Sequence, residues 1–309
     1  GSSTGWKVDY SSYTLSELVG YSPRYYVHME GIPTAVTLET AHSGSWTSTS
    51  TWVGGAVPTS MDDVLIKAGH TVSVDDANAV CKSVHFGGNN ALIDMNSNSM
   101  LTVYGNFTLF STTHIVFSAG WSTTSAYIKF AGSAVQTLSG WSTTGGCTSF
   151  RDVIIDKSGG KVTTDGTNMR LGIQNSLEIV NGVLELAADA DIEGRFASSG
   201  NYVTGGLLPN VTIRAGGELY LVDGAGVHHI RAGTGIAIGT VTVYGKATFQ
   251  DASTNNIILN GVNIEDGGKV ITGTGMGGTA KLFLCGPLVI KSGGEVENYT
   301  TSDIYGTGA

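Results

Sequence analysis

The sequence predicts an all-β chain wound as a single-stranded parallel β-helix, a β-solenoid, and three observations predict it. A short unit recurs: Val262-Asn263-Ile264-Glu265-Asp266-Gly267-Gly268-Lys269-Val270 returns as Val211-Thr212-Ile213-Arg214-Ala215-Gly216-Gly217-Glu218-Leu219 and as Leu288-Val289-Ile290-Lys291-Ser292-Gly293-Gly294-Glu295-Val296. A copy one residue longer spans Val153 to Val162. The copies are spaced as multiples of one coil: 51 residues from Val211 to Val262, and 26 from Val262 to Leu288. The composition suits short strands and tight bends, with 45 Gly, only 5 Pro and 13% charged residues among 309.

Each copy reads strand, bend, strand. Apolar and polar residues alternate before the glycines, the period of an extended chain with one buried face. Two adjacent glycines then permit the positive φ of a sharp turn. Self-similarity at a period of roughly 20 to 50 residues marks a solenoid. The 58 residues from Val153 to Val211 predict two coils plus an insertion, placed near 194–209. Leu101-Thr102-Val103-Tyr104-Gly105 also returns as Val241-Thr242-Val243-Tyr244-Gly245, 140 positions later. From Val80 onward, strands are expected at Val84–Phe86, Ala91–Ile93, Leu101–Val103, Phe107–Leu109, Ile115–Phe117, Tyr127–Phe130, Val153–Ile155, Leu177–Ile179 and Val183–Leu186. Their inward residues stack coil on coil into apolar columns.

Residues 1–44 do not follow this rhythm and form a separate N-terminal segment, with the helix occupying 45–309. Trp6, Tyr10, Tyr13, Tyr21, Tyr25 and Tyr26 crowd this segment, and Pro23 and Pro33 interrupt it. A solenoid end is apolar and unpaired, so the segment reads as an aromatic cap or as an arm that docks on a neighbouring copy. Tyr13 to Leu18 can make one helical turn at most. A Gly1-Ser2 start without Met fits a processed secreted protein or a cloning scar.

The formal net charge is −9 and no basic cluster occurs, so the electrostatic footprint of nucleic-acid binding is missing. No apolar run of about 18 residues is present to span a bilayer as a helix. Cys81, Cys147 and Cys285 are far apart and odd in number; one disulfide is left open, and buried free thiols are the expected state.

One stretch carries a family resemblance. Trp46 and Trp52 frame a Ser/Thr loop, followed by Gly54-Gly55-Ala56-Val57-Pro58, Asp62-Asp63-Val64-Leu65-Ile66 and Ala68-Gly69-His70-Thr71-Val72-Ser73-Val74. This resembles the first coil of right-handed parallel β-helix proteins of bacterial, viral and related cell surfaces, including the extracellular domain family named for its eight glycines. Ser60-Met61 stands where those families carry a small, Gly-containing turn. The resemblance covers about thirty positions and implies a right-handed coil and an extracellular setting. Those families include adhesins, phage parts and carbohydrate enzymes, so it implies no single activity.

Ala119-Gly120-Trp121-Ser122-Thr123-Thr124 and Ser139-Gly140-Trp141-Ser142-Thr143-Thr144 are near-copies, and Trp121 and Trp141 exposed on successive coils would make a platform for a sugar ring. The competing reading is that the two indoles pack on each other and seal a corner. Asp189, Asp191 and Glu193 begin like a calcium loop, but the twelfth position is Gly200, where a bidentate Glu is needed. Catalysis would need converging acids, or a base with a cation. The candidate sets are Arg151, Asp152 and Asp156; Asp223, His228, His229 and Arg231; and Asp62 with Asp63. None has a recognisable spacing, and adjacent residues such as His228 and His229 point to opposite faces of a strand. Asn106-Phe107-Thr108, Asn210-Val211-Thr212 and Asn298-Tyr299-Thr300 are glycosylation sequons, relevant only in a glycosylating host.

The expected function is a non-catalytic extracellular structural or adhesive β-solenoid, a fibre, cell-surface or virion component that self-associates through a solenoid end or the N-terminal arm. No cofactor is expected beyond the calcium alternative. A polysaccharide-degrading hydrolase or lyase is the alternative, and a glycan-binding module the second.

Overall fold

The computed structural model describes residues 37–109, 115–116, 125–139, 148–165, 170–186, 191–194, 210–221, 239–249, 256–259, 261–272, 281–284, 286–298 and 303–306. The chain divides into Gly1–Ala35 and Val36–Ala309, and only the second contributes described residues. These are mostly strand, with turns and bends between, and a single 3-10 turn lies among them at Thr49–Thr51.

The fold is all-β, and every strand ladder among the described residues is parallel. An 18-stranded sheet is accompanied by a four-stranded and a three-stranded one. Parallel neighbours cannot be joined by a tight hairpin, so each strand pairs with one lying 19 or more residues away along the chain.

Two ladders run through the large sheet. In the first, the column Ala79, Leu101, Ile128, Val153, Leu177, Val211, Val241, Val262 and Leu288 is continuous, each residue the register partner of the next. A second column two residues on runs Cys81, Val103, Phe130, Ile155, Ile179, Ile213, Val243, Ile264 and Ile290. Period-two alternation forces this arrangement: every second side chain faces one side, and apolar residues, most of them β-branched, fill that side at each level. The columns are buried from their first residue to Val262 and Ile264, then open: Leu288 is 38% and Ile290 49% exposed.

The second ladder carries Leu38, Val64, Val84, Phe107, Leu138 and Thr164 in one column. Its neighbour carries Gln136, Val162, Leu184, Leu219, Ala247, Val270 and Val296. Phe107 knits the levels together, with ring centroids 5.7 Å from Phe86, 6.2 Å from Phe130 and 5.8 Å from Phe150. Two smaller sheets complete the pairings, a four-stranded one around Val72 and Ile93 and a three-stranded one of Asn256–Leu259, Lys281–Leu284 and Asp303–Gly306, and within the large sheet Leu171 also pairs with Ile192.

The expected spacings are realised as register. Val262 and Leu288 are one level apart, and Val241 stands between Val211 and Val262. Leu101 and Val241, the two starts of the Val-Tyr-Gly repeat, occupy one column five levels apart. Val153 to Leu177 takes 24 residues and Leu177 to Val211 takes 34; residues 195–209, where the insertion is expected, lie outside the described residues. The expected strands within the described residues are all present. The first strand, Thr37–Glu39, lies ahead of the expected boundary at residue 45 and pairs with Asp63–Ile66 through buried Leu38.

The Gly-Gly bend takes two forms rather than one. Gly267-Gly268 and Gly293-Gly294 each sit in a turn between two strands, with Gly267 at φ 75°. Thr148–Thr164 and Asn210–Leu221 run through their glycines as one continuous strand. There, Asn181↔Gly216 and Gly182↔Gly217 stay paired with the preceding level, so the bend is taken up as a register shift.

At the Trp-rich stretch the two indoles are core. Trp46 and Trp52 are 1% and 2% exposed and meet edge to face at 5.1 Å, and Trp52 Nε1 donates to the Trp46 carbonyl at 2.9 Å. Cys81 is a buried free thiol, as expected, and burial pushes its pKa well above the ordinary thiol range. Cys147 and Cys285 lie outside the described residues.

Candidate functional site

The corner where the first ladder turns into the second forms an open trough of about 360 Å³. It crosses four levels, and its lining includes Gly182, Ala215, Gly217, Glu218, Lys246 and Lys269. Sequence explains the shape. Three of the four levels spell a side-chain-bearing residue, a glycine-containing bend and a charged residue: Arg214, Ala-Gly-Gly, Glu218; then Tyr244, Gly245, Lys246; then Glu265, Asp-Gly-Gly, Lys269; the fourth carries Gly182 and Val183. The glycines leave a floor with almost no side chains. At Gly245 this is obligatory, because a Cβ there would run into the carbonyl oxygens of Arg214 and Gly217.

One wall is a row of charges in register: Glu218, Lys246, Lys269 and Glu295 are successive partners. The two lysines are neighbours, and each also holds a carboxylate. Lys246 Nζ is 2.9 Å from Glu218 Oε1; Lys269 Nζ is 2.8 Å from Glu297 and 3.3 Å from Glu295. Hydrogen bonding to Glu297, and further to Glu295, lifts the Lys269 amine above the ordinary lysine range. On the other side of the bend, Arg214 Nε donates to Glu178 Oε1 at 2.6 Å and its guanidinium lies 5.7 Å from the centroid of the Tyr244 ring. Glu265 lifts the Lys291 amine through a 2.6 Å contact. These pairs lie at the surface, where solvent screens them and each adds little to stability. They link consecutive levels, as Glu39–Lys67, Asp63–Lys82, Lys129–Asp156 and Lys161–Glu185 do elsewhere.

The candidate acids stand in other settings. Asp152 is fully buried; Asn175 Nδ2 and Ser176 Oγ donate to its Oδ1, both at 2.6 Å, and Arg151 Nε lies 3.5 Å from Oδ2. Asp156 points outward, where hydrogen bonds from Lys129 at 2.7 Å and Asn181 at 2.8 Å hold its carboxyl below the usual range. Asp62 accepts from the Thr59 backbone at 2.8 Å and the Thr59 hydroxyl at 2.6 Å, closing the turn before its strand. For Asp63 partial burial pushes the carboxyl up, but hydrogen bonds from Ser83 and Lys82 and the Lys82 charge outweigh it and bring it net below the usual range. The two described sets, Arg151 with Asp152 and Asp156, and Asp62 with Asp63, thus form separate structural contacts rather than one groove.

The other expected site residues lie outside the described residues: Trp121 and Trp141; Trp6, Tyr10, Tyr13, Tyr21, Tyr25 and Tyr26; and Asp223, His228, His229 and Arg231. Of the calcium candidates, Asp189 lies outside as well, and so do the side chains of Asp191 and Glu193. The backbone at Asp191–Gly194 is a regular strand paired with Arg170–Ile173, around buried Ile192. Two sequons are structural caps: Asn106 Oδ1 accepts from the Thr137 backbone at 2.9 Å, and Asn210 Oδ1 from the Thr240 backbone at 3.1 Å, each one level on.

Sequence reasoning passed over the trough. Its signal was the position after each glycine bend, where Glu218, Lys246, Lys269 and Glu295 recur with changing sign.

No family model matches this chain, and neither a curated protein nor a solved structure matches it. The likeness of residues 46–74 to surface β-helix proteins therefore rests on those residues and on the parallel all-β fold.

Proposed function

We propose that this chain is a non-catalytic extracellular protein of structural or adhesive type, a single-stranded right-handed parallel β-helix that self-associates as part of a fibre, cell surface or virion. The single observation that carries the reading is the setting of the candidate acids among the described residues. A general acid or base must meet substrate with a proton to give or take. Asp152 is buried against Asn175 and Ser176, Asp156 and Asp63 are held ionised by lysines, and Asp62 closes a turn.

Self-association is supported by the exposed column ends Leu288 and Ile290, with Val289 40% exposed between them. In the last described strand of its ladder, such an edge offers backbone donors and acceptors to another strand. The aromatic segment 1–44 is the second contact in this reading. The extracellular setting is supported by the resemblance at Trp46 to Val74 and by low charge with a Ser/Thr-rich surface.

A panel of neutral and acidic polysaccharides incubated with the full chain tests the non-catalytic reading. No oligosaccharide is expected to be released. Release that disappears on Asp152→Asn or Asp156→Asn would overturn it.

A further inference from the structure

We propose that the open level at Leu288–Asn298 docks on the same level of a second copy, turned end over end about a two-fold axis through the Gly293 bend. This names the partner surface and the symmetry for the self-association proposed above, and it rests on that reading.

The two ends of the described ladders differ. At the first, the outer edge of Thr37–Glu39 is already met by the chain's own Thr51–Val53. Thr40 and Trp52 form an antiparallel bridge, the Val53 N–H donates to the Glu39 carbonyl at 2.8 Å, and the Ala41 N–H donates to the Thr51 carbonyl at 2.8 Å. The Trp46 and Trp52 indoles beside them are buried. At the other end the ladders stop, among the described residues, at Leu288–Ile290 and Glu295–Asn298, with the inward columns open at Leu288 and Ile290. An open edge strand finds no partner edge on a closed end, so the complement left to it is the open end of another copy.

Backbone direction selects the register. The Lys291 N–H donates back to the Ile264 carbonyl and the Glu295 N–H back to the Gly268 carbonyl, both at 2.9 Å. Backbone groups alternate in direction along a strand, so those of Leu288, Ile290 and Val296 point to the outer edge. An antiparallel two-fold pair sets such residues opposite one another. An axis at Gly293 does so: Ile290 stands opposite Val296 of the second copy, and Leu288–Ile290 as a whole stands opposite residues 296–298. Ile290 and Val296 both continue inward columns, so an apolar pair closes the core.

The same axis sets Lys291 opposite Glu295 of the second copy, twice over by symmetry. Neither is a spare charge in the single copy, since Lys291 holds Glu265 at 2.6 Å and Glu295 lies 3.3 Å from Lys269. Both side chains are more than half exposed, at 56% and 62%. Contact across the axis joins the two existing pairs into a row of alternating sign, Glu265, Lys291, Glu295 and Lys269. Such a row fixes register more than it adds affinity.

Sedimentation of the full chain over a range of concentrations, with strand content followed by circular dichroism, tests the axis. The unaltered chain is expected to pair. Lys291→Glu sets like charges across the axis, and so does Glu295→Lys; each is expected to weaken pairing about tenfold or more. In an equimolar mixture of the two variants every charge across the axis again meets its opposite, so pairing is expected to return. The mixture carries the same changes within each copy as its components, so only contact between copies accounts for its recovery. Single variants that pair like the unaltered chain, or a mixture that stays apart, would overturn the two-fold arrangement and leave self-association through another contact standing. An unaltered chain that sediments as single copies at every concentration would overturn both.

Discussion

Lys157 Nζ donates a 2.6 Å hydrogen bond to Gln136 Oε1 between adjacent levels, and both side chains are buried, at 2% and 0% exposure. The ammonium also donates to the carbonyls of Ala131 at 3.1 Å and Ala134 at 2.7 Å. Gln136 Nε2 passes the connection on, to the carbonyls of Val103 at 2.9 Å and Gly105 at 2.7 Å. One lysine and one glutamine thus donate to four carbonyls on the two preceding levels, those of Ala131 and Ala134 and those of Val103 and Gly105. Gly182 on the following level leaves room for the lysine stem, because a Cβ there would run into Lys157 Cβ.

Lys157→Met is expected to destabilise the fold by roughly 3 kcal/mol or more, since each buried acceptor left alone costs about 1–3 kcal/mol. Urea denaturation of Lys157→Met, Gln136→Leu and the double variant gives the coupling. The double variant is expected to lose about 1–3 kcal/mol less than the sum of the two single variants. Strict additivity would show the two side chains to be independent.

The same lysine sets a pH dependence. Burial pushes its amine down to about 8, against about 10.4 in an unfolded chain. Between these values the unfolded chain holds a proton that the folded chain has released, so stability from this group rises with pH across that window. Below about pH 8 the cost of burying the charge is fully present. The stability of the unaltered chain relative to Lys157→Met is therefore expected to grow from pH 8 to 10. A gap that shrinks instead would mean that the three acceptors outweigh desolvation.

At the acid end Asp156 and Asp63 act in the opposite sense. Their folded carboxyls lie below the ordinary value, held by Lys129 and Asn181 in one case and, against burial, by Ser83 and Lys82 in the other. Their contribution is present above the unfolded pKa of about 3.9 and is lost as pH falls through the folded values. Asp156→Asn and Asp63→Asn should each flatten part of the acid limb of the stability curve, while a limb unchanged in both would assign acid sensitivity to other groups.

Two glycines of the repeat separate steric from conformational demand. Gly245→Ala places a methyl against the Arg214 and Gly217 carbonyls and is expected to cost about 1–3 kcal/mol or more. Gly267 has φ 75° with open space around it. Its alanine variant is expected to lose only about 1–2 kcal/mol, the left-handed penalty alone. Thermal melts of both variants measure the order, and a Gly267 variant more damaged than the Gly245 variant would contradict it.

The ladder was readable before any coordinates because its signal is local and repeated. Alternation fixes the parity of Val211, Val262 and Leu288, and the glycines fix where each level bends. The same alternation puts Lys157 two residues after inward Ile155, and Gln136 two before inward Leu138. A charged or amide residue at core parity beside a glycine bend nevertheless reads as solvent-facing, because sequence does not show that four carbonyls from other levels converge there. The trough escaped for a related reason. Its residues belong to the repeat, whose polar positions looked uncommitted one copy at a time, and only register sets Lys246 beside Lys269.

Assembly is the most exposed part of the account, and sedimentation of the full chain over a range of concentrations tests it most directly. The unaltered chain is expected to form species larger than one copy, and Leu288→Glu with Ile290→Glu is expected to shift it to single copies without loss of strand content. A chain that sediments as single copies at every concentration, or a double variant that assembles as the unaltered chain does, would contradict the claim that the open Leu288 and Ile290 columns join copies together.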